Sequence, residues 1–282
     1  MNVDEPWLPF YIFSMPSLCR DIINGWVKKN TDDKIVDLLP PGSLTTDTVL
    51  ALVNAITFKG YWKYKFTDSL TKNEPFHQSS TTSAKMMHTG CRPHNLRYAY
   101  VSSIKSQVVE LPFYSSKVAM YFVLPRKNIP LSYVENEFSW SPDSLGLSTK
   151  AVQVSIPKFT ARKSVQLSAL LRALGMEDLF NRNKSNLNGI YTQSSRRLWL
   201  DVLFHQAYIN VDEAGTEAAA STTACVMRYY HRRRGTINFV ANRPFLFFLW
   251  DKQTKSLLFN GRFQGWSTLL RALHLRLNAM FA

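Results

Sequence analysis

Three cysteines and six histidines are the scarce reactive groups of this chain. None stands in a spacing that builds a known centre. His88 and His94 flank Cys91 in the segment MMHTGCRPH, read as a loop, but that spacing fits no standard metal-ligand pattern. There is no Gly-x-Gly-x-x-Gly, P-loop, His-Glu-x-x-His, Gly-x-Ser-x-Gly or Cys-x-x-Cys. Serine, histidine and aspartate all occur, yet no local signature singles out a nucleophile. The expectation is a protein with no metal and no conventional catalytic centre. Cys19, Cys91 and Cys225 are too few, and odd in number, for a disulfide scaffold or a four-cysteine zinc site.

The unusual chemistry lies in residues 213–230, EAGTEAAASTTACVMRYY. Two readings stand. One is a short helix, with Thr216 as N-cap, Glu217 in the first turn and alanines after it. The other is an exposed loop able to enter a sheet as a new strand. Such entry needs a flexible start, which Gly215 supplies. It also needs small side chains on the face that meets a closed core. Thr216, Ala218, Ala220 and Thr222 share one face under the two-residue period of a strand.

The flanking elements must position that segment. Residues 20–38 carry Ile22, Ile23, Trp26 and Val27 at helical spacing, predicting an amphipathic helix that ends near Asn30. Pro40–Pro41–Gly42 marks a turn. Residues 48–58, TVLALVNAITF, predict a strand covered on both faces. Three β-like runs follow between Arg97 and Pro125, with a hairpin turn at Tyr114–Lys117. Residues 151–160 alternate as a half-buried strand, and Ser164–Leu174 has helical spacing ending at Gly175. Residues 197–212 form another long strand, and 236–264 read as two strands around Asp251–Thr254. No repeat or linker is visible, so one α+β domain is expected.

At 282 residues and 45% hydrophobic composition, the chain has ample core material. No run of apolar residues is long enough for a transmembrane helix. The net charge of +14 implies affinity for polyanions such as a sulfated, heparin-like glycan. A solvated basic surface is the plainer reading, and no nucleic-acid motif makes the charge specific.

Five ordered blocks resemble the serpins, a family of serine protease inhibitors. They are INGWVKKNTDDKIVDLL, TVLALVNAITFKGYWKYKF, ALLRALGMEDLF, FHQAYINVDEAGTEAAA and FVANRPFLFFLWDKQTKSLLFNGRF, spanning about Ile22 to Gln264. The resemblance implies a large central sheet, smaller sheets, flanking helices and an exposed reactive loop at about 213–235. It implies a monomeric suicide substrate for a serine protease of chymotrypsin fold, with no cofactor other than a candidate heparin-like glycan. The hinge would be Glu213, Gly215, Thr216, Glu217, Ala218, Ala219 and Ala220. Glu213 would meet Lys158 near the family's breach tryptophan, here Trp62. Asn54 and His205 match the polar pair joining neighbouring strands of the shutter; His205 also reads as a satisfied core histidine.

The family's usual spacing from the hinge glycine reaches Tyr229, placing the scissile bond before Tyr230. Tyr229 suits a deep apolar specificity pocket, whereas its neighbour Arg228 suits a trypsin-like pocket with a buried carboxylate. Arg232, Arg233 and Arg234 would recruit a polyanion or an acidic protease surface. Two departures stand out. Residues 1–19 are atypical, and roughly a hundred residues expected before the first helix are missing, a large share of a core. The tail 266–282 continues as a basic amphipathic segment where the family usually stops. That leaves a truncated serpin domain over 20–265. The alternatives are a non-inhibitory polyanion-binding protein of serpin ancestry, or an inactive truncated product. The family implies secretion, and Asn183–Lys184–Ser185 is a glycosylation sequon. No signal peptide is visible, so an intracellular location stays open.

Overall fold

Pro16 begins α1 (Pro16–Asn30), its fixed φ suiting the first turn, and Lys28 and Lys29 complement the helix dipole at the other end. The helix therefore starts before the expected boundary at residue 20. Its buried face is Cys19, Asn24 and Val27, and Trp26 lies towards solvent. Asn24 is clamped both ways: its side-chain amide donates to the Leu39 carbonyl at 3.0 Å and accepts from the Leu39 amide at 2.9 Å. That pairing satisfies a buried polar group and ties the helix to the irregular connector after it. Ile35, Leu38, Leu39, Leu44 and Phe204 close this core.

The computed structural model describes residues 15–78, 81–90, 93–139, 141–187, 189–190, 198–215 and 235–265. After α1 come β1 (Ala51–Thr57), β2 (Lys72–His77), β3 (Thr81–His88), β4 (His94–Val101), β5 (Ser106–Pro112) and β6 (Val118–Pro125). Then follow α2 (Leu131–Glu137), β7 (Ser148–Pro157), β8 (Phe159–Gln166) and α3 (Ser168–Ala173). The last strands are β9 (Val202–Val211), β10 (Ile237–Val240), β11 (Phe245–Asp251) and β12 (Ser256–Phe263).

These elements fall into two compact units, one drawn from residues 1–57 and 162–208, the other from 58–161 and 209–282. In the first unit β1 runs parallel to β9, in register from Ala51↔Val202 to Thr57↔Tyr208. The three-stranded sheet has the order β1-β9-β8. The expectation that β1 is covered on both faces fails. Its residues alternate, with Leu52 and Asn54 exposed, because only one face packs on the α1 core and β9 is its one strand partner among the described residues.

In the second unit a nine-stranded sheet has the order β12-β11-β6-β5-β4-β7-β3-β2, with β10 parallel to β7. Its interior is aromatic: Tyr121 and Phe248 stack at 4.7 Å, and Phe245 and Phe263 at 5.2 Å. One buried carboxylate sits inside it. Glu110 accepts from the Tyr121 hydroxyl at 3.0 Å and pairs with Arg97 and Lys252. A buried acid kept in this way needs those partners, since an unpaired charge there would be costly.

Several boundaries differ from the sequence reading. Residues 151–166 are two strands broken at Lys158, and α3 starts at Ser168 instead of Ser164, because Arg162–Gln166 continue an alternating strand. The segment 236–264 holds three strands, since Asn242–Arg243–Pro244 interrupts the first run. β2 and β3 had no clear hydrophobic signal; β3 is mostly Thr, Ser, Lys and Met. His88 consequently closes a strand and does not lie in a loop.

Candidate functional site

Asp212 follows directly on β9 and turns the chain. Its carboxylate Oδ1 accepts the amides of Ala214 and Gly215 at 3.0 and 3.1 Å, and its own amide donates to the Gly215 carbonyl at 2.9 Å. An aspartate bonding backbone two and three residues on fixes a tight local turn. Burial pushes the Asp212 carboxyl up, opposed by those two amides and by Lys158.

The turn is laced to residues 60–66. The Trp62 amide donates to the Ala214 carbonyl at 2.9 Å, and the Phe66 amide to the Glu213 carbonyl at 2.9 Å. Trp62 is 2% exposed, its indole N–H donates to the Asp212 carbonyl at 2.9 Å, and its ring stacks on Phe113 at 4.5 Å. A buried tryptophan needs such a partner for its N–H. Gly215 makes a bridge to Tyr61 with φ of +151°. A Cβ there would lie 2.0 Å from the Gly60 carbonyl oxygen, so only glycine fits this approach.

Glu213 faces the other way. Its Oε2 lies 2.7 Å from Lys158 Nζ and its Oε1 accepts from the Thr71 hydroxyl at 2.8 Å. Burial alone would raise the Glu213 carboxyl; the bonds from Lys158 and Thr71 overcome it and hold the group below its ordinary value. Thr71 was not singled out from the sequence, because a lone threonine before β2 carries no pattern. Asp212 was missed for a similar reason: it read as the last residue of a strand.

The structure thus brings Trp62, Lys158, Glu213 and Gly215 into one cluster within the second unit. Asn54 and His205 belong to the first unit, opposite each other on β1 and β9. Asn54 is exposed, and no side-chain hydrogen bond joins the two, so the implied polar link is a shared register position only. Burial lowers the His205 pKa. Thr216, Glu217, Ala218, Ala219, Ala220, Arg228, Tyr229, Tyr230, Arg232, Arg233 and Arg234 lie outside the described residues, as do the tail 266–282 and Cys91. The two histidines of the MMHTGCRPH segment take separate partners. His88 Nδ1 is 2.7 Å from the Ser155 hydroxyl, and His94 stacks on Tyr64 at 4.6 Å. No helix among the described residues is long and apolar enough to cross a membrane.

A family model described as Serpin (serine protease inhibitor) matches residues 12–264. Human plasminogen activator inhibitor 2 is 38% identical over 260 residues, covering 87% of this chain and 60% of its own length. Human leukocyte elastase inhibitor is 35% identical over 263 residues, covering 87% of this chain and 66% of its own. The crystal structure of Manduca sexta serpin-12 superposes with a TM-score of 0.78 at 26% identity, covering 90% of this chain and 67% of that one. The chain therefore spans about three-fifths of the length of the first curated relative.

One expectation is corrected by these findings. The absence of catalytic motifs predicts a chain that is not an enzyme. The matched family is described by its relation to an enzyme, as inhibitors of serine proteases, and both human relatives carry inhibitor names. The anchored turn ahead of residue 216, the parallel β1–β9 pair and the match across 12–264 converge on one assignment: this chain belongs to the serpin family.

Proposed function

We propose that the chain inhibits a serine endopeptidase as a suicide substrate. The protease serine Oγ attacks the Tyr229 carbonyl, the Tyr229–Tyr230 peptide bond breaks, and the amine leaves on Tyr230. The ester between serine and Tyr229 is the acyl-enzyme. The freed segment from Gly215 then enters between β1 and β9 as a new strand. The bound protease moves with it, and its active site is distorted before water can deacylate it. Serpin loop insertion adds a strand to an existing sheet and releases stored strain.

The observation that carries this reading is the direct β1–β9 pairing. Those strands hydrogen-bond to each other, the arrangement of a sheet that has not yet accepted an inserted strand. The fixed turn at Asp212–Gly215 supports it by setting where an inserting segment would begin. Tyr229 directs the bait to a chymotrypsin-like protease; Arg228 as the scissile residue would direct it to a trypsin-like one. The domain is read as 20–265, acting as a monomer. The test is titration of chymotrypsin and of trypsin with the purified chain. Inhibition that saturates at a fixed molar ratio, with an SDS-stable adduct, supports the reading. Full protease activity at excess chain, with no adduct, overturns it.

The net charge of +14 favours a second reading, a polyanion-binding protein that uses Arg232, Arg233 and Arg234. Retention on immobilised heparin that collapses with salt, in a chain that leaves both proteases active, selects it. Secretion is proposed on the sequon, whose Asn183 side chain is exposed. A mass loss on enzymatic deglycosylation of protein from secreting cells tests that assignment.

A further inference from the structure

An open cleft of about 640 Å³ lies in the second unit, where the end of β2, the loop after β6, the start of α2 and the Asn242–Pro244 turn meet. Small-molecule sites generally fall between about 300 and 1,000 Å³. The cleft is built rather than incidental. The His77 amide donates to the Asn242 carbonyl at 2.7 Å, joining two of its walls. Arg243 Nε donates to the Pro125 carbonyl at 2.7 Å, joining a third.

Its chemistry is one-sided. Arg126, Lys127 and Arg243 line it, and among the described residues no aspartate or glutamate does. Among the described residues none of the three forms a salt bridge. Arg243 is partly buried and gives two of its nitrogens to neutral oxygens, the Pro125 carbonyl and the Asn242 amide at 3.3 Å. Burial lowers its pKa with no carboxylate to offset the effect. A partly desolvated guanidinium beside two exposed cations favours an anion at this cleft. Ile129, half-buried, and Leu131, 8% exposed, add an apolar wall.

We propose that this cleft binds a small organic anion, a carboxylate or sulfonate carried on an apolar body. The charged group would face Arg126, Lys127 and Arg243, and the apolar body Ile129 and Leu131. This assignment does not depend on protease inhibition.

The test uses the full chain, titrated calorimetrically with 2-naphthalenesulfonate and with neutral naphthalene-2-carboxamide. One site per chain is expected, with the neutral compound at least about tenfold weaker. R126E/K127E changes two exposed residues, so its thermal midpoint should match the parent while sulfonate affinity falls at least about tenfold. K65E/K150E makes the same change in net charge at exposed sites outside the cleft and should keep parental affinity. Equal binding of both compounds overturns the proposal. So does unchanged affinity in R126E/K127E, or an equal loss in K65E/K150E.

Discussion

Lys158 Nζ stands 2.7 Å from Glu213 Oε2, across 55 residues of sequence, and the two side chains differ in exposure: 42% for the lysine, 13% for the glutamate. The carboxylate is the group that depends on the pair. It has given up most of its water, and Lys158 and Thr71 replace it.

The stability effect follows from that asymmetry. Lys158→Met leaves Glu213 short of its cation and is expected to cost about 1 kcal/mol, discounted because the lysine remains hydrated. The Glu213 pKa is lowered in the folded chain, so its contribution is present above the unfolded glutamate value and is lost as pH falls through the folded value. Urea midpoints at pH 7 and pH 4 check this. The Lys158→Met deficit should shrink at the lower pH; a deficit equal at both would assign it to packing.

Gly215→Ala is the sharpest steric change at the hinge. The added methyl meets the Gly60 carbonyl oxygen at 2.0 Å and the Tyr61 Cα at 2.7 Å, both backbone atoms that cannot rotate away. The bridge to Tyr61 must open, at an expected cost of about 1–3 kcal/mol. Thermal unfolding measures the loss. A parental melting temperature would show that the 60–61 segment gives way freely.

Trp62→Phe keeps an aromatic ring against Phe113 but removes the N–H donated to the Asp212 carbonyl. The unsatisfied buried carbonyl and the smaller ring together should cost about 2–4 kcal/mol. Chemical denaturation gives the value. A variant as stable as the parent would mean that Phe66 and Phe113 alone hold this corner.

Specificity is testable at the proposed scissile residue. Tyr229→Arg should move inhibition from chymotrypsin towards trypsin by at least about tenfold in the ratio of association rates. Stopped-time residual activity assays with each protease measure the ratio. No change in it would place the scissile bond elsewhere in the loop.

What the sequence made legible tracks the physics of each element. β6 and β11 are almost continuous apolar runs, β5 carries the β-branched pair Val108–Val109 beside Leu111, and β1 and β9 are rich in apolar residues, so their existence is plain. β2 and β3 are polar strands whose pairing, not their pattern, holds them, and composition could not reveal them. β8 hid behind Lys158, where two strands abut without a turn residue to mark the break. At the candidate site, Gly215 is legible as the flexible start of the 213–230 segment, and Trp62, Lys158 and Glu213 are reached through family likeness. The Glu213–Lys158 contact is reached in the same way; the Asp212 turn and the Thr71 bond are not, because they act through backbone geometry and one hydroxyl. The cleft at Arg243 assembles residues from four separated segments and has no linear signature at all.

The central claim concerns one covalent bond, and intact mass after a denaturing quench reads it directly. The chain is mixed with chymotrypsin at equal molarity for minutes, then unfolded and weighed. The account predicts a species with the mass of the protease joined to residues 1–229, less one water, and a free peptide beginning at Tyr230. Loop cleavage with the protease at its unmodified mass and full activity would contradict it.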